Sequence, residues 1–170
     1  MKLLVAAAAL AASALACAAP ASAKAETYIN AGYSFVDADD VSLGAITGRF
    51  GWRSAIFGIE GEAGFGVDDD QIGGGTVELN STFAVYGTAT ARMSDNANLF
   101  ARIGYGTTDI KASGGGASAS ASDESWNYGV GGEMFFGSGT HGVRGDYTHM
   151  DFDAGGDADV WTIAWVMRFR

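Results

Sequence analysis

The stretch Asp159–Arg170, DVWTIAWVMRFR, decides the fold. Trp161, Ile163, Trp165, Met167 and Phe169 fall on one alternate set of positions, and Val160, Thr162, Ala164, Val166 and Arg168 on the other. A period of two is the period of a β-strand, whose successive side chains point to opposite faces. The first face is wholly apolar and carries two tryptophans and a phenylalanine near its end. The second is small or polar and holds an arginine. Such a strand needs a broad apolar surround on one side and a mixed interior on the other.

Working outward from this strand, seven further alternating stretches precede it: Glu26–Val36, Val41–Trp52, Ile56–Val67, Thr76–Arg92, Leu99–Thr107, Trp126–Phe136 and Gly142–Asp151. Each has about the length needed to cross a bilayer at a tilt. In the fourth, Leu79, Phe83, Val85 and Ala89 are expected on the apolar face, against Asn80, Thr82, Tyr86, Thr88 and Thr90. Arg53-Ser54-Ala55 reads as a tight turn, Asp68–Gly75 as a polar loop, and 108–125 as a long irregular segment with a flexible low-complexity centre, SGGGASASAS. Gly-aromatic pairs recur near the ends of odd strands at Gly32-Tyr33, Gly64-Phe65 and Gly104-Tyr105, so the repeating unit is a hairpin.

Alternation does not say which face is inside, because a soluble ligand-binding barrel alternates with the opposite sense. Three observations choose the apolar face as the outer one. Long connections follow odd strands and short turns follow even ones, the asymmetry of outer-membrane barrels. Aromatic residues gather near strand ends: Phe35, Phe65, Tyr105, Trp126 and Trp161 at one rim, and Phe50, Trp52, Phe57, Phe136 and Phe169 at the other. They form the two girdles expected at membrane interfaces. The mixed face collects Arg49, Glu60, Glu62, Arg102, Glu133, Arg144, Asp146 and Arg168, four bases and four acids able to pair within a narrow lumen. The reading is an all-β, eight-stranded antiparallel up-and-down transmembrane β-barrel.

Lys2, the uncharged apolar run 3–16 and the Ala21-Ser22-Ala23 site form a cleavable signal peptide at 1–23, with the barrel domain at 24–170. Cys17 offers a lipoprotein alternative. Removing Lys2 from the 10 bases leaves nine against 20 acids, which argues against nucleic acid as a partner. Twelve of the 14 aspartates fall at the expected outer end, where they hydrate the loops or bridge through divalent ions to lipopolysaccharide phosphates. No ligand spacing for a metal, no phosphate cradle and no cofactor motif is found, so no metal, cofactor or catalytic residue is assigned.

The stretch Trp126–Phe136, WNYGVGGEMFF, together with Gly142–Asp151 and the final strand, resembles the outer-membrane β-barrel domain of the opacity-protein and outer-membrane protein A-like group. The resemblance implies an eight-stranded barrel in a Gram-negative-type outer membrane. It implies insertion by the outer-membrane assembly machinery and contact with outer-membrane lipid and lipopolysaccharide. No peptidoglycan-binding domain is expected after the barrel. Barrels of the lipid A deacylase type carry a His and a Ser two residues apart, whereas here His149 is followed by Asp151. The expected role is non-enzymatic, structural or surface-interacting through four acidic loops, with the surface ligand unspecified. A small passive pore is the alternative, and a lipid-modifying enzyme a third reading.

Overall fold

The computed structural model describes residues 25–38, 41–72, 75–114 and 117–169. The signal peptide assigned to 1–23, with Cys17, lies outside the described residues, as do Asp39 and Asp40 of the first acidic loop.

Nine strands follow in chain order: β1 (Glu26–Ala38), β2 (Val41–Ser54), β3 (Phe57–Gly66), β4 (Asp69–Ile72), β5 (Gly75–Arg92), β6 (Ala97–Gly114), β7 (Ala117–Phe136), β8 (His141–Phe152) and β9 (Asp157–Phe169). They form one sheet in the order β3-β2-β1-β9-β8-β7-β6-β5-β4, and β3 also pairs with β5. The β3–β5 pairing closes the sheet on itself, so eight strands make the barrel and β4 adds a short flap to the outer end of β5. Every pairing is antiparallel, and the chain ends meet where β1 and β9 run from Thr27↔Phe169 to Asp37↔Asp159. Closure leaves the wall without an edge, which satisfies the backbone inside a bilayer.

Along β9, Val160, Thr162, Ala164, Val166 and Arg168 are buried, while Trp161, Ile163, Trp165 and Phe169 are exposed. The same inside–outside sense holds around the wall: Tyr28, Thr47, Arg49, Glu60, Tyr86, Phe100 and Arg144 are buried, while Ile29, Phe50, Ile59, Val85 and Ile103 are exposed. Inward glycines make the lumen wide enough for its larger side chains. A Cβ on Gly51 would sit 2.1 Å from the Tyr28 ring, and one on Gly131 would sit 2.5 Å from the Phe100 ring.

The structure corrects four local expectations. The polar loop read at Asp68–Gly75 contains the short strand β4, paired with β5 from Asp69↔Glu78 to Ile72↔Gly75. Leu79 points inward, only 6% exposed, because a β-bulge between Leu79 and Ser81 inserts Asn80 and reverses the alternation above it. The segment read as a long irregular loop is a regular hairpin: β6 and β7 stay paired from Thr108↔Asp123 to Gly114↔Ala117. Its alternating Ser and Ala carry the strand period, and small side chains leave the ladder unhindered. Arg53 is the penultimate residue of β2 rather than part of the turn, and it is buried inside the barrel.

Candidate functional site

The site is the lumen. Its middle is a cluster of arginines and carboxylates contributed by four strands, β2, β3, β6 and β8. Arg49 on β2 donates to Glu62 on β3 and, at 2.9 Å, to Asp146 on β8. Arg102 on β6 reaches Glu62 at 2.8 Å, Glu60 at 3.0 Å and Asp146 at 3.2 Å, and it also donates to the Thr148 hydroxyl. Arg144 on β8 contacts Glu60 at 2.6 Å and Asp146 at 2.9 Å. In the circular strand order β3 and β8 are four places apart, so the Arg144–Glu60 pair joins opposite walls. Planar guanidinium groups suit this role, because each presents several donors in a fixed fork and remains charged. Buried charges require such multiple pairing, since removing an ion from water costs several kcal/mol.

Of the eight charged residues read from the sequence, Arg49, Glu60, Glu62, Arg102, Arg144 and Asp146 are brought into this cluster. Glu133 lies towards the end carrying the short turns. It meets Arg53 at 2.9 Å and stands 3.8 Å from Arg144. Arg53 and Glu26, which pair with each other and are both buried, are members that sequence reasoning missed, and Arg53 is the one that reaches Glu133. The signal for Arg53 was available, for the inward parity of Arg49 and Gly51 continues to position 53. Arg53 and Glu133 also span the barrel, because β2 and β7 are four places apart in the circular order. Arg168 sits apart from the central cluster. It donates to the carbonyl of Gly139 and lies 3.5 Å from that of Asp95, in the two adjoining turns.

Each layer also has an aromatic shelf. Arg53 lies over Tyr28, Arg102 over Tyr86, Arg144 over Phe100 and Arg168 over Phe135, at 5.0, 4.3, 4.1 and 3.6 Å from the ring centroids. A cation over a ring face is attracted by the ring quadrupole, most strongly where both are desolvated. Tyr28 ties its shelf into the cluster by donating to Glu60 at 2.8 Å.

Above the charges the lumen becomes hydroxyl-lined. Ser34 bonds Thr47 at 2.7 Å and Thr162 at 2.8 Å. Higher still the interior turns apolar, with Leu43, Ala45 and Leu79 packed against Val36 and Ile110, and with Met150, Ala158 and Val160 beside them. From turn end to loop end the described lumen is therefore filled by stacked arginines, ion pairs, hydroxyls and an apolar plug.

The ten aromatic residues assigned to the rims all point outward and are exposed, from Tyr105 at 38% to Phe57 at 72%. Tyr105 packs edge-on against Trp126 at 5.3 Å, and Phe136 lies 6.4 Å from Trp165. At the loop end, tyrosine hydroxyls donate to carboxylates, a pattern that the sequence did not reveal. Tyr33 bonds Asp68, Tyr105 bonds Asp153 at 2.7 Å and Glu124 at 3.1 Å, and Tyr147 bonds Asp159 at 2.7 Å. His149 shares Asp159, with its Nδ1 at 2.7 Å. Among the described residues no group of three or more His, Cys, Asp or Glu is placed to hold a metal ion.

A closed barrel with an apolar exterior and an ion-paired interior defines a class, the small transmembrane barrel. The chain belongs to the outer membrane protein beta-barrel domain family, whose model matches residues 3–169. No curated protein matches the chain in sequence. Among solved structures it is similar to Ail, the attachment invasion locus protein of Yersinia pestis, at 19% identity, with 86% of this chain and 99% of that one covered and a TM-score of 0.65. It is similar to the N-terminal β-barrel domain of Pseudomonas aeruginosa OprF at 10% identity, covering 85% and 97%, with a TM-score of 0.66. It also resembles Neisserial surface protein A at 7% identity, covering 88% and 98%, with a TM-score of 0.56. At these identities the likeness is one of fold.

Proposed function

We propose that this protein is a closed, non-enzymatic outer-membrane barrel that displays an acidic surface to the outside of the cell. Its role on this reading is structural and surface-interacting. The observation that carries it is the Arg144–Glu60 bridge between opposite walls, reinforced by Arg49, Arg102, Glu62 and Asp146. A lumen cross-linked in this way has no continuous water path, and an eight-stranded barrel is wide enough only for its own side chains to fill.

The outward aromatics then serve as girdles, with Trp and Tyr at the headgroup level and apolar residues such as Val85 and Ile163 facing acyl chains. The loop end carries Asp37, Asp68, Asp109, Asp123, Glu124, Asp151, Asp153, Asp157 and Asp159. Ail has been solved with a heparin analogue, sucrose octasulfate, which is a polyanion. The acidic loop end here favours ligands of the opposite charge. Export through the 1–23 segment and insertion by the outer-membrane assembly machinery complete the reading, with lipid and lipopolysaccharide as the surround.

Fractionation with surface proteolysis tests this. The protein belongs in the outer-membrane fraction with a mature N-terminus at Lys24, and external protease added to intact cells leaves the membrane-spanning strands uncut. Recovery in the periplasm, or an acylated Cys17 as the mature N-terminus, would overturn it.

A further inference from the structure

The upper part of β7 has a partner on one edge only. β6 pairs with it as far as Gly114↔Ala117, whereas β8 stops at the pair Ser125↔Phe152. Just above, the Asp153 N–H donates to the Glu124 carbonyl at 2.8 Å and the Ala154 N–H to the Asp123 carboxylate at 3.3 Å, and there the cover ends. Among the described residues β7 has no strand neighbours besides β6 and β8. In an antiparallel sheet alternate residues turn both N–H and C=O to the same side. The Glu124 carbonyl faces the open side, so Ser122 and Ser120 present theirs to it as well.

Natural sheets blunt such edges with proline, lysine, bulges or cover. Residues 119–122 are Ala-Ser-Ala-Ser, all exposed, and the β6–β7 register runs through them unbroken. Small side chains let another backbone approach. The surroundings carry Asp109, Asp123, Glu124, Asp151, Asp153 and Asp157. The base nearest in register, Lys111 opposite Ser120, is already 3.0 Å from Glu78.

We infer that the free edge of β7 at residues 119–122 accepts an extended basic polypeptide segment as an added strand. Main-chain hydrogen bonds supply the docking, the mode by which exposed sheet edges capture peptides. The acidic surround selects cationic side chains and speeds their encounter. A second copy of this chain fits poorly, since it would set the same carboxylates against each other. The inference rests on the acidic-surface reading above and names the partner's chemistry.

The test uses the full-length mature protein folded into phosphatidylcholine bilayers, titrated with a ten-residue peptide alternating lysine and valine. Two controls accompany it: the glutamate–valine analogue, and a lysine–valine peptide N-methylated on alternate backbone nitrogens. Binding of the lysine peptide alone is expected, with slowed amide exchange at Ser120 and Ser122. Ser120→Pro removes an edge N–H at a position where proline is tolerated, and should weaken binding about tenfold or more with an unchanged unfolding midpoint. Equal binding of the N-methylated peptide, or unchanged amide exchange, would overturn strand addition while leaving the acidic surface intact. Absence of binding by either basic peptide would overturn both.

Discussion

Arg144 on β8 and Glu60 on β3 face each other across the full width of the barrel, with Nη1 and Oε2 2.6 Å apart and Nη2 and Oε1 3.1 Å apart. The pair is bidentate, and both side chains are almost wholly removed from solvent. It fixes the distance between opposite walls, a property that no pairing between neighbouring strands provides.

Breaking this bridge on one side leaves a buried charge short of a partner. Arg144→Met should lower stability by about 3–5 kcal/mol, measured by denaturant unfolding from lipid bilayers. The double variant Arg144→Met with Glu60→Gln should recover much of that loss, because the orphaned carboxylate is removed with it. A double variant as damaged as the sum of the two singles would contradict the coupling.

The exterior sense is tested at Val85, which is 67% exposed on the lipid-facing side of β5. An arginine at mid-bilayer depth costs roughly 2–4 kcal/mol. Val85→Arg should therefore impair folding into bilayers by that amount, while Val85→Leu stays near neutral. Tolerance of the arginine would place Val85 away from lipid.

The bulge in β5 makes an opposite pair of predictions for adjacent residues. Leu79→Ala removes a side chain packed with Leu43 and Ala45, and should cost about 2–5 kcal/mol. Asn80→Ala changes an exposed residue and should stay within about 0.5 kcal/mol. Unfolding midpoints of the two variants decide it, and the reverse order would mean that strict alternation continues through residue 79.

The hairpin above the membrane should be separable from the barrel. Replacing residues 112–119 with Asn-Gly joins Lys111 to Ser120, which already face each other, through a two-residue turn of the favoured kind. The unfolding midpoint should be unchanged. A marked loss would show that the hairpin tip braces the mouth.

These residues also mark what could be read in advance. Strict alternation made the strands and the inward or outward sense of Arg49, Glu60, Val85 and Trp161 legible, because membrane outside and narrow inside impose opposite chemistry on successive positions. Leu79 was misplaced because a bulge leaves no mark in composition. Arg53 was lost to a turn placed two residues early, and the Ser–Ala hairpin to its low complexity. Which arginine meets which carboxylate was not legible at all. Arg144 and Glu60 lie 84 positions apart in sequence and meet only through the stagger of a closed barrel.

Conductance tests the closed lumen most directly. Purified protein inserted in planar phospholipid bilayers should show no stable, regular single-channel steps across a range of voltages. Arg49→Ala and Arg102→Ala should destabilise the barrel without producing a defined channel. Reproducible steps from the unaltered protein, growing when Arg49 or Arg102 is replaced by alanine, would contradict the closed lumen and establish a pore.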